Sequence, residues 1–99
     1  MAFAIAWSPR AIDDIEAIAA YIAEDSEAYA ASVVRTILSK GRRLSELPFI
    51  GRIVPEFADG VIREVFAYSY RNIYEIKGDE ITIAAVVHGK RLLDLAIES

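Results

Sequence analysis

Two strand-like runs, residues 70–77 and 81–88, flank the dipeptide Gly78-Asp79 in the C-terminal half of the chain. Both runs are rich in β-branched and aromatic residues, and a Gly-Asp pair between such runs is typical of a two-residue hairpin turn. Because side chains alternate between the two faces of a strand, the turn also fixes which residues share a face. The sequence therefore predicts an antiparallel hairpin with a defined register.

That register divides the hairpin residues between two faces of a sheet. The face predicted to lie on the core pairs Ile76 with Ile81, Tyr74 with Ile83, and Tyr70 with Val87. The opposite face pairs Glu75 with Thr82, Ile73 with Ala84, and Arg71 with Val86. A slip of one residue would exchange the two faces.

The N-terminal half predicts one strand and two helices. Residues 3–7 alternate large and small side chains, which is typical of a strand whose large residues face a core. Ser8 can then cap a helix that has Pro9 at its first position and ends near residues 24–25. Ser26 can cap a second amphipathic helix that stops at Leu47-Pro48, and the short connection predicts an antiparallel helical hairpin.

The segment between the second helix and the hairpin is predicted to be mostly loop, followed by a strand. Residues 48–60 contain three turn signals, Pro48, Gly51 and Pro55. Residues 61–66 form the additional strand-like run. The predicted order is therefore one strand, two helices and three strands.

Length and composition bound the class of protein. The 99 residues fit a single domain, 1–99, and a 55% hydrophobic content is enough for a core. The absence of cysteine excludes disulfides and thiolate metal sites, and one histidine without a glycine-rich phosphate loop predicts no metal and no cofactor. No secretion signal or apolar run of about 20 residues is present, so no membrane association and a cytoplasmic location are expected.

The charge is unevenly distributed along the chain. The formal net charge is −4, and residues 1–30 carry one basic and six acidic side chains. Residues 35–71 carry seven basic and four acidic side chains. A field this weak would not hold bulk nucleic acid at physiological salt, so no direct nucleic-acid binding is expected. A local site on a protein or nucleoprotein target remains compatible with it.

The face predicted to lie opposite the helices is unusually rich in small residues. It collects Ala4, Ala6, Ile73, Glu75, Thr82, Ala84 and Val86. An apolar sheet face that the chain's own helices do not cover favours a partner-binding surface. The alternative is an ordinary half-exposed sheet face on which alanine is tolerated.

Several short motifs, in order and spacing, resemble the ParE branch of the RelE/ParE toxins. They are Trp7-Ser8-Pro9-Arg10-Ala11, Tyr21-Ile22, Leu47-Pro48, Gly51-Arg52, Ile62-Arg63-Glu64, Tyr70-Arg71-Asn72-Ile73-Tyr74 and Val87-His88-Gly89-Lys90-Arg91. The resemblance extends from residue 3 to about residue 91. It implies an α+β fold of order β-α-α-β-β-β, in which a helical hairpin packs on a largely antiparallel four-stranded sheet. It also implies a ParD-like antitoxin that binds the toxin directly, and we expect the small-residue face to receive it.

The resemblance leaves the cellular target open between two mechanisms. ParE-like members are associated with inhibition of DNA gyrase, whereas RelE-like members cleave messenger RNA on the ribosome. Target contacts are expected at Arg63, Arg71, His88, Lys90 and Arg91. If the protein is a nuclease, Arg63, Arg71, His88 and Arg91 are the catalytic candidates, with Glu64 and Glu75 as the nearest carboxylates.

The gyrase mechanism is favoured because the C-terminal tyrosine and upstream lysines typical of RelE-like nucleases are missing here. The same residues have structural alternatives. Arg63 and Arg71 can simply pair with Glu64 and Glu75 across the sheet, and His88 can be an ordinary surface histidine. A non-toxic module that only binds its antitoxin is a third possibility for the whole protein.

Overall fold

The structure is a computed structural model that describes residues 2–57 and 60–90. Its elements are β1 (Ala4–Trp7), α1 (Pro9–Ala23), α2 (Glu27–Arg43), β2 (Arg52–Ile53), β3 (Ile62–Ala67), β4 (Tyr70–Lys77) and β5 (Glu80–His88). The strands form one sheet in the order β1-β5-β4-β3-β2, with β1 parallel to β5 and the other pairs antiparallel. The α+β class and the helical hairpin on a largely antiparallel sheet are confirmed, with five strands instead of four.

The additional strand, β2, lies inside the segment predicted to be loop. It pairs Arg52 with Glu64 and Ile53 with Arg63. Two residues are too few for any alternation of polar and apolar side chains to appear, so sequence periodicity could not identify it.

Both helices begin where the capping residues predict. The Ser8 side chain accepts a hydrogen bond from the Ala11 amide at 3.0 Å, and the Ser26 side chain accepts one from the Tyr29 amide at 3.0 Å. The helix α2 ends at Arg43, in a last turn that carries three basic residues. Within the described residues, neither helix is long and apolar enough to span a bilayer.

The main core lies between the helical hairpin and one face of the sheet. It includes Val33 and Ile37 of α2 with Tyr74 and Ile83 of the central strands, all fully buried. Gly41 sets the distance between α2 and the sheet. A Cβ atom placed there would lie 2.4 Å from the Trp7 ring, so only glycine permits this approach.

The hairpin register is confirmed near the turn and is wrong beyond it. Tyr74 pairs with Ile83, as predicted, but Ile73 pairs with Ala85, so Ala84 is an extra residue in β5. Arg71 consequently pairs with Val87, and Tyr70 with His88. The bulge exchanges the two faces of the last part of β5, which places Val86 in the main core.

The bulge forms where β1 ends and the start of α1 replaces it as the neighbour that bonds to the edge of β5. The Ser8 amide donates to the Ile83 carbonyl, and the Ser8 hydroxyl donates to the Ala84 carbonyl, both at 2.9 Å. The Asp14 carboxylate accepts from the Val86 amide at 2.9 Å. The N-cap residue and the first turns of α1 therefore satisfy backbone groups of β5 beyond the end of β1.

The face opposite the helices carries a second core under the loop. Ile73, Ala85 and Val87 pack there against Val54, with Phe57 and Ile62 at the margin. The prediction of an uncovered face is therefore wrong for two residues. Ile73 is fully buried beneath the loop segment, and Val86 is 2% exposed on the helix side.

Candidate functional site

Four charged residues, Glu56, Glu64, Arg71 and Arg52, form a cluster beside the second core. Glu64 and Arg71 are almost completely buried, and Arg71 Nε donates to Glu64 Oε1 at 2.5 Å. Arg52, on the edge strand β2, donates to the other oxygen of the same carboxylate. Glu64 of β3 thus accepts charged hydrogen bonds from the strands on either side of it, β2 and β4.

The remaining nitrogens of Arg71 bind a second carboxylate. Its two terminal nitrogens donate to Glu56 at 3.0 and 3.1 Å in a bidentate arrangement. The hydrogen bond to Glu56 is the largest influence that raises the pKa of Arg71 above its ordinary value, and desolvation by burial opposes it. Arg71 therefore joins the loop to the sheet, and its charge is already neutralised inside the protein.

Arg63 also holds the loop rather than pairing with a carboxylate. Its guanidinium donates to the carbonyls of Gly60 and Gly51, each at 2.9 Å. The same guanidinium lies over the Phe49 ring, 5.1 Å from its centroid. Among the described residues Arg63 forms no ion pair with Glu75, because Arg63 pairs with Tyr74 and Ile62 with Glu75, which places the two side chains on opposite faces of the sheet. The Glu75 carboxylate instead lies 3.9 Å from the Lys77 amine.

His88 lies at the end of β5 and is exposed. Its ring packs edge to face against Tyr70 at 5.7 Å between centroids, and its Nδ1 accepts from the Lys90 amide at 3.2 Å. Lys90 is exposed, and Arg91 lies outside the described residues.

The candidate nuclease residues in the described part of the chain do not converge. His88 pairs with Tyr70 on the helix side of the sheet, whereas Arg71 is buried on the loop side. Arg63 is four residues from Ala67, the position level with Tyr70, which corresponds to about 13 Å along the strand. Within residues 2–57 and 60–90, no group of acidic or histidine side chains is arranged to hold a metal ion.

A basic pocket that the sequence did not indicate lies at the β2 edge of the sheet, where it shares Arg52 and Glu64 with the charged cluster. Its volume is about 280 Å³, and its cationic lining is Lys40, Arg43 and Arg52. Phe66 contributes an aromatic ring, over which the Arg52 guanidinium lies at 5.4 Å from the centroid. The pocket combines the C-terminal turn of α2 with β2, and the unpredicted strand β2 is why these residues were not grouped.

Part of the small-residue face remains accessible at the opposite edge. Ala4 and Ala6 of the edge strand β1 are exposed, and Thr82, Ala84 and Glu75 are partly exposed. Ala6 pairs with Thr82, which in turn pairs with Glu75, so these residues form a row across three strands. We call Ala4, Ala6, Thr82, Ala84 and Glu75 the small-residue patch.

Solved structures of bacterial toxins share this fold. The chromosomal ParDE TA system from P. aeruginosa has a TM-score of 0.71 at 20% identity, covering 87% of this chain and 95% of that chain. The RelBE2 toxin–antitoxin complex from Mycobacterium tuberculosis has a TM-score of 0.64 at 15% identity, covering 89% and 99%. A free mutant of E. coli toxin RelE has a TM-score of 0.65 at 17% identity, covering 91% and 86%.

At these identities the solved structures establish the fold, and the family follows from the sequence. No curated protein sequence matches the chain. The family model described as "ParE toxin of type II toxin-antitoxin system, parDE" matches residues 5–93. The match spans both helices, all of β1 but its first residue, strands β2 to β5, the charged cluster and the bulge. The chain therefore belongs to the ParE toxin family of type II toxin–antitoxin systems.

Proposed function

We propose that this toxin acts by binding and inhibiting DNA gyrase, without cleaving RNA, and that a ParD-like antitoxin neutralises it by direct binding. The observation that carries the proposal is the separation of His88 from Arg71 on opposite faces of the sheet. Membership in the ParE family supplies the class of target. The antitoxin partner is suggested by the ParDE system and the RelBE2 complex, which share the fold.

The chemistry of RNA cleavage explains why this separation matters. Cleavage without a metal needs a base for the 2′-hydroxyl, an acid for the leaving oxygen, and cations around the phosphorane. These groups must act on one phosphate, so they must lie within hydrogen-bond reach of a common point. Arg71 is committed to Glu64 and Glu56, which leaves His88 without that cation beside it.

The substitution His88→Gln tests the mechanism, because it removes the titrating group and keeps a hydrogen-bonding side chain of similar size. Removing a general acid or base lowers the rate of a nuclease by about 10²- to 10⁴-fold. We expect His88→Gln to retain most of the toxicity in cells. Purified toxin should inhibit supercoiling by gyrase, and induced cells should show blocked replication and an SOS response before messenger RNA declines.

Two results would replace this proposal. If His88→Gln abolishes toxicity in a folded protein and transcripts are cut within codons on the ribosome, the protein is a RelE-like nuclease. The fold shared with RelE and RelBE2 keeps that alternative open to test. If expression of the wild-type gene alone does not slow growth, the protein is a non-toxic module that binds its antitoxin.

The small-residue patch is the surface we assign to the antitoxin. The edge strand β1 offers backbone groups for strand addition, and the exposed alanines allow a second chain to approach closely. Ala6→Arg places a long charged side chain on this surface and should weaken antitoxin binding at least tenfold in a calorimetric titration. Ala17→Arg, on an exposed part of α1, is the control and should bind normally; equal affinities for the two variants would exclude the patch.

A further inference from the structure

A cavity lined by tyrosines lies at the end of the molecule away from the basic pocket. Its volume is about 260 Å³, and it opens between the α1–α2 connection, the β3–β4 turn and the end of β5. Its functional lining consists of Tyr21, Tyr29, Tyr68, Tyr70, His88 and Asp25. We call it the tyrosine cavity.

The rings of this cavity are more exposed than a folded core requires. Tyr21 is 73% exposed, Tyr68 52% and Tyr29 49%. Tyr29 and Tyr68 pack edge to face with 5.8 Å between ring centroids, and Tyr70 packs in the same way against His88. Exposed aromatic rings concentrated around one cavity are typical of binding surfaces.

The backbone conformation of Tyr68 supports a functional reason for the presence of a tyrosine at this position. Tyr68 has φ +56°, and it is the one non-glycine residue with positive φ in the described part of the chain. A glycine in this two-residue turn would avoid the steric cost of that conformation, which is uncommon for bulky residues. The turn instead holds a tyrosine ring at the mouth of the cavity.

The charge of the lining selects a cation as the ligand. None of the residues lining the cavity is a lysine or arginine, and Asp25 contributes a carboxylate. No ion pair involves Asp25 within residues 2–57 and 60–90. Aromatic faces attract cations through their quadrupole, and a guanidinium can stack on a ring while it binds a carboxylate. The phosphate of a nucleotide would instead be repelled by Asp25.

The protonation state of the tyrosines is consistent with this role. Burial is the main influence that raises the pKa of Tyr70, and the neighbouring Tyr29 and Tyr21 raise it further. The Tyr70 phenol therefore stays neutral at physiological pH and adds no competing charge.

We propose that the tyrosine cavity binds an arginine side chain presented by a partner protein. Asp25 receives the guanidinium, and Tyr29 and Tyr68 supply the aromatic faces against which it packs. This surface is separate from the small-residue patch and from the basic pocket. It would give the toxin a recognition point for a basic segment, whose approach the formal net charge of −4 also favours.

The test is an NMR titration of the full-length protein with N-acetyl-arginine methylamide at pH 8 and low salt. A single side chain should bind weakly, on the order of 10 mM. We expect shifts confined to the tyrosine cavity. The matched ligand is N-acetyl-citrulline methylamide, which has nearly the same shape and no charge, and it should produce no saturable shifts.

Three variants and their controls locate the site. Asp25→Asn and Tyr29→Leu should each weaken arginine binding by about 2- to 30-fold, the range expected for contacts to a cation. Asp13→Asn and Phe49→Leu, exposed residues elsewhere, should leave it unchanged. Tyr68→Gly should also weaken binding while the melting temperature stays the same or rises, because glycine accepts the positive φ.

Several results would overturn the proposal. Equal shifts with citrulline would show that charge is not recognised. Saturable binding of AMP at the cavity, without binding of arginine, would assign it to a nucleobase. Equal affinities for Asp25→Asn and Asp13→Asn would remove Asp25 from the site. None of these readouts depends on toxicity, so they are distinguishable from a failure of the gyrase proposal.

Discussion

The substitution Arg71→Met tests whether the buried charged cluster is a structural element rather than a target-binding one. Methionine fills a similar volume but removes the bonds from Arg71 to Glu64 and Glu56. The Glu64 side chain is completely buried, so it would lose its only buried cationic partner in the described residues and keep Arg52 alone, whose side chain is 62% exposed. We therefore expect the removal of this one buried charge to lower the free energy of unfolding strongly.

The magnitude follows from the burial of the pair. Removing one partner of a buried ion pair usually costs about 3–5 kcal/mol in the free energy of unfolding. Because Arg52 still neutralises part of the Glu64 charge, we expect about 3 kcal/mol. Each kcal/mol lowers the melting temperature of a domain of this size by about 4–8 °C, so the midpoint should fall by about 12–24 °C.

The assays are urea unfolding and thermal unfolding, both monitored by circular dichroism, with Arg52→Met as the matched control. Arg52 binds the same carboxylate but is exposed, so its loss should cost at most about 1 kcal/mol. The double variant Glu64→Leu/Arg71→Met should recover part of the loss, because it leaves no unpaired buried charge at residue 64. If Arg71→Met costs no more than Arg52→Met, burial does not determine the strength of this cluster and the reasoning is wrong.

Two further predictions concern close packing and pH. Gly41→Ala should destabilise the protein by about 1–3 kcal/mol in chemical denaturation, although alanine favours helix, because the new methyl group would overlap the Trp7 ring; a stabilised variant would contradict the packing argument. Burial raises the pKa of the Tyr74 phenol above its ordinary value of 10.0, so the contribution of Tyr74 to stability should be fully present below about pH 10 and be lost as the pH rises through the native pKa. Tyr74→Phe should flatten this alkaline loss while costing about 1–3 kcal/mol at pH 7, because the Gly51 amide and the Pro48 carbonyl lose their partner; an unchanged alkaline slope would assign the titration to another group.

The parts of the fold that sequence reasoning predicted depend on local signals. Ser8-Pro9 and Ser26 cap the two helices as expected, and Gly78, with φ +59°, occupies the predicted turn. The predicted strand at residues 70–77 coincides with β4. In each case, one or two residues carry a strong conformational preference that neighbouring structure does not override.

The site was less predictable because it depends on contacts between distant segments. The bulge at Ala84 arises from bonds that Ser8 and Asp14 supply across more than 70 residues of sequence. Arg71 is not an accessible cation because it binds Glu56, a loop residue between Val54, which is buried, and Phe57, which is partly buried. No periodic pattern reports such contacts. The assignments of antitoxin-binding and target-binding residues accordingly remain predictions.

The extra residue in β5 has a consequence for comparing this chain with distant members of its family. A relative whose last strand lacks the bulge has one residue fewer between the Gly78-Asp79 turn and the strand end, yet its buried side chains occupy the same points in space. An ungapped alignment that starts at the turn would then match Val86 of the helix-side core with a position equivalent to Val87 of the loop-side core. Placing a one-residue gap at Ala84 restores both apolar patterns, and at about 15–20% identity this gap decides which residues are compared at His88.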